Sequence, residues 1–507
     1  MHSGDEEGHG WHSPWGHRPA WTRVWHGPFL VGIASLLWFL IRTGSKPSRA
    51  AYPCQRASLA NASAWLGTLA LPAVAHRARR AQELTAPEGW WGGSTPLRFV
   101  LLFVAAAGFA VIAGKAADFL SGASAAPAGQ SVSLTLAENR LPAATFSDIY
   151  AVQGTTGADT GFRRLIEQMQ ERGQSFYSLF HRHDVLIIKV NSQWDQRGGT
   201  NTDLVKAIVE GILAHPDGFS GEIVIADNGQ SQYGAAGRGG SLDWKSNNAV
   251  DRSQSMQKVA AMFSSGHRVS TVSWDPLNTS QVQEYAKGDA RDGYVVDSCP
   301  SPDTGIVVSY PKFTTRYGTR ISFKNGIWDP AAGGYDSERL KVINVPVLKS
   351  HSIYGVTASV KHYMGVVSNR LSGNTAHGSV GTGGMGTQMA QTRFPVLDVL
   401  DAIWINAAPG RGPRTTYSQA TQANIVAASR DPVALDCWAA KNILLPAARK
   451  LGYSDTGSLD PEVTRKGFFG YWLRLSMKAL QKAGYPVTLD LDRVNISVTS
   501  LEDFRLD

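Results

Sequence analysis

Cysteine is scarce in this 507-residue chain: Cys54, Cys299 and Cys437 are the whole set, and no two stand in CxxC spacing. An iron–sulfur cluster or a structural zinc of the usual ligand spacing is therefore excluded on this chain. Cys299 and Cys437 either pair, if the domain sits in an oxidising compartment, or stay as free, mostly buried thiols. HExxH is absent, as is GxxxxGK[ST], and no His–carboxylate pair has metal-ligand spacing, so cofactor and metal stay unassigned. No internal repeat is evident. The formal net charge of +8 does not form a nucleic-acid stripe. Residues 1–135 hold eleven Lys/Arg against six Asp/Glu, and the remaining chain is close to balance. What is abundant is core material, with 43% hydrophobic residues, 15 Trp, 15 Tyr and 18 Phe. That excludes wholesale disorder.

The N-terminal quarter reads differently from the rest. Residues 1–27 form a polar tail in which five histidines alternate with Trp11, Trp15, Trp21 and Trp25. Its spacing matches no compact metal site. Three apolar stretches follow in a region spanning 28–120: residues 28–41, 58–75 and 99–114, flanked by basic residues and by Trp21, Trp25, Trp90 and Trp91. A span needs about 20 mostly apolar residues. The first and third stretches reach this with flanking residues, and the second carries Asn61 and Pro72. Two or three transmembrane helices in contact with a lipid bilayer are expected, with buried soluble helices as the competing reading. The basic clusters at 42–56 and 76–80 place the remaining domain outside the cytoplasm in most arrangements. A small-residue linker occupies 121–135.

From residue 136 to 507 the pattern is that of an α/β domain. Val185–Ile188 and Glu222–Ala226 are short apolar runs suited to strands buried on both faces. Leu204, Val205, Ile208, Val209, Ile212 and Leu213 recur at helical spacing, with Thr202 as the expected cap. Later strands are expected at 341–348, 399–405 and 424–429, the last leading into a helix that opens Asp431-Pro432. The alternation predicts a largely parallel sheet flanked by helices. A β-rich insertion is expected over 290–325 and a terminal strand pair over 486–500.

In such sheets ligands bind beyond the carboxyl ends of the strands. After four of the expected strands come Lys189 with Asn191, Asp227 with Asn228, Lys349 with His351, and Arg430 with Asp431. That convergence predicts one polar rim. Each member also has a plain reading: Asp431 as a helix cap, Asp227 as turn chemistry, Asp436 as a solvated helix position, His351 as a hydrogen-bonded loop residue. Lys189 is harder to dismiss, because a lysine ending a buried strand must find water, a carboxylate or an anion. The densest stretch, Val347–Val367, adds Lys361 and His362 on an expected helix beginning near Gly355 or Thr357. The Gly-rich run Ser372–Met389, containing His377, reads as a lid or a plain flexible loop over the rim.

These blocks resemble, in order, the family catalogued as domain of unknown function 362. The pieces are IIKVN at 187–191, TNTDLVKAIVEGI at 200–212, IVIADNG at 223–229 and INVPVLKSHSIYGVTASVKHYMGVV at 343–367. DVLDAIWIN at 398–406 and NIVAASRDPVALD at 424–436 complete the series. The resemblance covers about residues 145–450 and implies that Lys189, Asn191, Lys349, His351, Lys361, Asp401, Asp431 and Asp436 fall on motif positions. Some members look like iron–sulfur proteins with an added ferredoxin-like segment, whose cysteines this chain lacks. His362 stands where an Asn commonly follows the second motif lysine.

The expectation is thus a membrane-anchored enzyme acting on a small anionic substrate, a carboxylate or phosphate. Lys189, Asn191, Lys349, Lys361 and Asp436 would bind it. His351 would act as acid or base, with Asp227 or Asp431 orienting it or holding a metal. The alternatives are a non-catalytic anion- or partner-binding scaffold and a redox protein with a non-covalent cofactor.

Overall fold

A computed structural model describes residues 36–38, 130–139, 147–230, 240–243, 248–373 and 375–501. The polar tail, nearly all of the three apolar stretches and most of the linker lie outside the described residues. Within them, no helix is long and apolar enough to cross a membrane. All that follows concerns the unit Ala123–Asp507.

Its centre is a large mixed sheet. In spatial order the strands are β15 (Val494–Ser500), β1 (Ser147–Gln153), β14 (Thr421–Ser429), β13 (Leu397–Asn406), β10 (Leu340–Asn344), β2 (Val185–Lys189), β3 (Glu222–Asp227) and β4 (Arg268–Ser273). Strands β13, β10, β2, β3 and β4 run parallel, and β14 runs antiparallel to both its neighbours. Strand β11 (Val347–His351) carries the line of β10 past Pro346 and stays parallel to β13, while β12 (Gly355–Thr357) folds back on it. The β-rich insertion is a separate antiparallel sheet of β5 (Gly293–Val296), β6 (Ser309–Thr314), β7 (Arg320–Ser322), β8 (Gly326–Asp329) and β9 (Gly334–Asp336). The expected C-terminal strand pair is instead the single strand β15, lying parallel to β1.

The apolar runs are buried on both faces because the chain covers both. Leu186, Ile188, Ile223 and Ile225 face a core filled by Phe162 and Leu165 from one helix and by Leu204, Val205, Ile208 and Val209 from the helix Thr202–Leu213. Alternate residues Val185, Ile187, Val224 and Ala226 face a second core built from Tyr363, Met385, Trp438, Trp472 and the inner side of the small sheet. The period of two along each strand divides its side chains between these layers. Asn201, one residue before the expected Thr202, caps its helix, accepting from the backbone of Asp203 and Leu204.

The Gly-rich run is not a lid. It forms short helical turns and the helix Gly384–Gln391, largely buried. A Cβ on Gly386 would lie 2.4 Å from the Ser476 carbonyl oxygen, and one on Gly384 2.0 Å from Ser379 Oγ. Gly383 and Gly386 let this helix press onto the helix Phe469–Lys482, while Gly384 lets it close against Ser379 of the preceding turn. Cys299 and Cys437 are both free thiols, the first exposed and the second buried.

Candidate functional site

Strands β2, β3 and β4 are laid down in one direction across the sheet, and β10 returns to the opposite side of β2. The crevice between the carboxyl ends of β2 and β10 is therefore the switch point at which α/β sheets bind ligands. Lys189 is the last residue of β2, Asp227 the last of β3, and Lys349 and His351 lie on β11 just beyond β10.

Lys189 and Asp227 form an ion pair of 3.0 Å with both side chains buried. Lys189 Nζ also donates to the Val190 carbonyl at 3.1 Å. Asp227 Oδ2 accepts from Ser192 N at 2.9 Å, Ser192 Oγ at 3.0 Å and Gly229 N at 3.2 Å. This pair is neutral as a unit and has its bonds made. Burial pulls the Lys189 ammonium below its usual range, and Asp227 opposes that pull.

Lys349 is fully buried, and its ammonium donates to the Gly198 carbonyl. Burial and the neighbouring charge of Lys361 push it down to about 7, against the attraction of Asp401 and Asp227. Asp401, on β13, accepts from Asn201 N at 2.8 Å, Asn248 Nδ2 at 3.2 Å and Ile403 N at 3.1 Å, and burial pushes it up to about 6.

Lys361 opens a 3-10 turn, Lys361–Gly365, rather than the expected longer helix. The residue is 6% exposed. Its Nζ finds no hydrogen-bond acceptor and no carboxylate among the described residues, only the ring of Tyr354 at 5.7 Å from the centroid. Burial alone pushes it down to about 7. Two like charges cannot both be held in one buried site. Lys349, with its carbonyl acceptor and Asp401, is the better seat for the proton, and Lys361 the better free amine.

His351 completes the group. Its Nδ1 accepts from Ile353 N at 3.1 Å and Tyr354 N at 3.3 Å, so the proton of the neutral ring sits on Nε2. Burial, then the charges of Lys361, His377 and Lys349, hold the ring well below its ordinary pKa. It is therefore a neutral N–H donor, not a base. Tyr354 and the two histidine rings form a triangle, Tyr354 standing 5.4 Å from His351 and 5.1 Å from His377 and the histidines 5.9 Å apart, and the Tyr354 hydroxyl donates to the His377 carbonyl. Tyr354 and His377 were not legible as site residues; the signal available was only that both carry side chains suited to lining a polar pocket.

The rim predicted from the sequence is otherwise divided. β14 runs antiparallel, so its carboxyl end, with Arg430 and Asp431, emerges at the opposite edge of the sheet. There Asp431 lines a cleft of about 660 Å³ with Arg430, Asp148 and Tyr485. Both its oxygens are occupied: Oδ1 accepts from Val433 N and Ala434 N, each at 2.9 Å, and Oδ2 from Thr488 N at 2.9 Å. Burial pushes it up to about 7 despite these donors. It is the cap of the helix Pro432–Ala439 and is not brought to the lysines. Asp431→Ala should cost about 2 kcal/mol in chemical denaturation, the upper end for an N-cap, since Thr488 N is orphaned as well. A loss below a few tenths would show the cap to be dispensable.

Asp436, expected as a ligand-binding or surface residue, is fully buried and accepts from Ser359 N at 2.7 Å and Val360 N at 3.0 Å. It clamps the backbone just before Lys361 and acts on the site only through that segment. Asn191 stays in the crevice, with its Oδ1 buried and unpartnered. His362 lies beneath, bonded through Nδ1 to Asn344 Oδ1 at 2.7 Å, and Asn344 Nδ2 donates to the buried Asp398 at 2.6 Å. Among the described residues no group of three His, Cys, Asp or Glu is placed to hold a metal ion.

Comparison with curated proteins and with solved structures yields no match. Residues 338–441 match the family model described as Domain of unknown function (DUF362), a stretch that holds Lys349, His351, Lys361, Asp401 and Asp436 but stops short of the blocks carrying Lys189 and Asp227.

Proposed function

We propose that this domain is an enzyme that binds a small anionic substrate, a carboxylate or phosphate, in the crevice between β2 and β10. The observation that carries the reading is the pair Lys349 and Lys361: two buried lysines close enough for their charges to oppose one another, one of them without any counter-charge. The free protein keeps at most one of these two amines protonated, and both can carry charge together only if an added negative charge offsets them. An entering anion would supply that charge, with Lys349 holding the proton of the free site, His351 Nε2–H and the Asn191 Nδ2–H group donating further contacts, and the Lys189–Asp227 pair fixing the floor. In this reading the N-terminal apolar segments anchor the domain at a lipid bilayer.

The test is titration calorimetry on the full chain with inorganic phosphate and with pyruvate. One of the two should bind one-to-one, and Lys349→Ala should weaken it by about 1.5–3 kcal/mol, roughly tenfold to a hundredfold, as for a charged hydrogen bond. Affinity should also fall as pH rises above about 7, because the free protein then loses the ammonium that the anion needs. Absence of binding by both anions, or an unchanged affinity in Lys349→Ala, would remove this reading. Binding without turnover of any carbonyl or phosphate compound would favour a scaffold.

A further inference from the structure

The three lysines of the crevice differ in what their amines are doing. Lys189 is spent on Asp227 and the Val190 carbonyl, while Lys349 gives one of its three N–H donors to the Gly198 carbonyl and keeps the others for a ligand. Lys361 Nζ has neither acceptor nor counter-ion, although its residue is buried. It shares the Tyr354 ring with His351, which stands 5.4 Å from that ring and presents an Nε2–H with no partner among the described residues.

A desolvated lysine beside a second cation is the arrangement that makes an amine nucleophilic, since its lone pair is free at neutral pH. A neutral imidazole N–H is the complementary group, able to steady negative charge on an oxygen without changing its own protonation. Resting on the anion-site reading above, we infer that Lys361 is a covalent, imine-forming residue and that the substrate is a small 2-oxo acid. Its carboxylate lies on Lys349, and its carbonyl carbon meets the Lys361 amine.

The chemistry balances without any further reagent. The amine lone pair forms the C–N bond, and the carbonyl π electrons move to oxygen, where His351 Nε2–H donates a hydrogen bond to the developing alkoxide. One proton passes from nitrogen to that oxygen. The C–O bond then breaks, the second nitrogen proton leaves with the oxygen as water, and the nitrogen lone pair closes the C=N bond. When the imine nitrogen takes up a proton from water, the resulting iminium withdraws electrons from the neighbouring carbon, which is the use enzymes make of such lysines. Burial pushing Lys361 down to about 7 keeps a large share of free amine at neutral pH.

The experiment is reductive trapping. The full chain is incubated with pyruvate and borohydride near pH 7.5, digested, and mapped by mass spectrometry. The expected result is a stable adduct on the Lys361 peptide, with surface lysines at background, and its suppression by excess phosphate if phosphate occupies the same site. Lys361→Arg should abolish the adduct and keep pyruvate binding within tenfold. The wild-type map stands alone if that variant fails to fold. An even spread of adduct over many lysines, or no adduct while calorimetry still shows pyruvate bound through Lys349, overturns the covalent role and leaves the anion site standing. No binding of either anion overturns both.

Discussion

Lys189→Met should destabilise the fold by about 3–5 kcal/mol, the usual penalty for stripping one partner from a buried ion pair. Met retains most of the apolar stem, so the loss reports the charge rather than a cavity. What remains is Asp227, 2% exposed, still accepting from Ser192 N, Ser192 Oγ and Gly229 N but with no cation facing Oδ1. The double variant Lys189→Met/Asp227→Asn removes both charges and should recover one to a few kcal/mol of that loss, a coupling typical of groups in contact. Denaturant midpoints of the two singles and the double decide it. If the double is as unstable as the sum of the singles, the pair is not coupled and Lys189 is held by something other than Asp227. The same result would free Lys189 to bind substrate directly, the role the sequence suggested for it.

That suggestion shows how far a single sequence carries. A lysine closing Val185–Ile188 had to be satisfied somewhere, and the choice among water, carboxylate and anion turned on which strand lay next to β2. Adjacency of β3 is a tertiary fact, set by the helix Thr202–Leu213 crossing over to pack on the sheet. The alternation of apolar runs and amphipathic helices was legible, and with it the mixed α/β architecture. Strand direction was not. Asn424–Ser429 is as apolar as a parallel strand would be, because β14 is covered on both faces like its neighbours. Nothing in its composition marks it antiparallel, and Asp431 therefore left the rim for the far edge of the sheet.

Two acids inside β13 carried a signal that local reading passed over. Asp398 and Asp401 interrupt a strand otherwise made of Leu397, Val399, Leu400, Ala402 and Ile403, and buried carboxyls of that kind must be answered by donors. Asp401 is answered from the loop before Thr202 and from Asn248, so it ties the Gly198–Asn201 segment, whose Gly198 carbonyl receives Lys349, to the sheet. Asp398 is answered by Asn344, and burial beside Asp436 and Asp431 raises its pKa well above the carboxylate range. The lid expectation failed for a different reason. Glycine-rich composition signals freedom only where nothing packs on it, and here the missing side chains are what allow the contact with Ser476.

Gly365→Ala is the most economical way to disturb the site without touching a charge, and it should cost about 3 kcal/mol, the top of the range for overpacking a core. The added methyl would lie 2.1 Å from Asp227 Oδ1 and 2.2 Å from Lys189 Nζ. Gly365 needs no left-handed backbone, since its φ is not among the positive ones, so the penalty is steric. The turn cannot back away freely. Asn228 N donates to the Gly365 carbonyl at 3.2 Å, and Asn228 Nδ2 donates to Met364 at 3.3 Å and Val367 at 2.7 Å, holding the segment from both sides. Either the ion pair opens or the Asn228 clamp breaks, and the second course displaces Lys361 four residues upstream. Anion affinity should therefore fall together with stability. Combining Gly365→Ala with Lys189→Ala and Asp227→Ala removes the atoms the methyl strikes, and that triple variant should be no less stable than the Lys189→Ala/Asp227→Ala double. If Gly365→Ala unfolds at the wild-type midpoint, or if its cost is unchanged in the background lacking both charged side chains, the turn does not seal the ion pair.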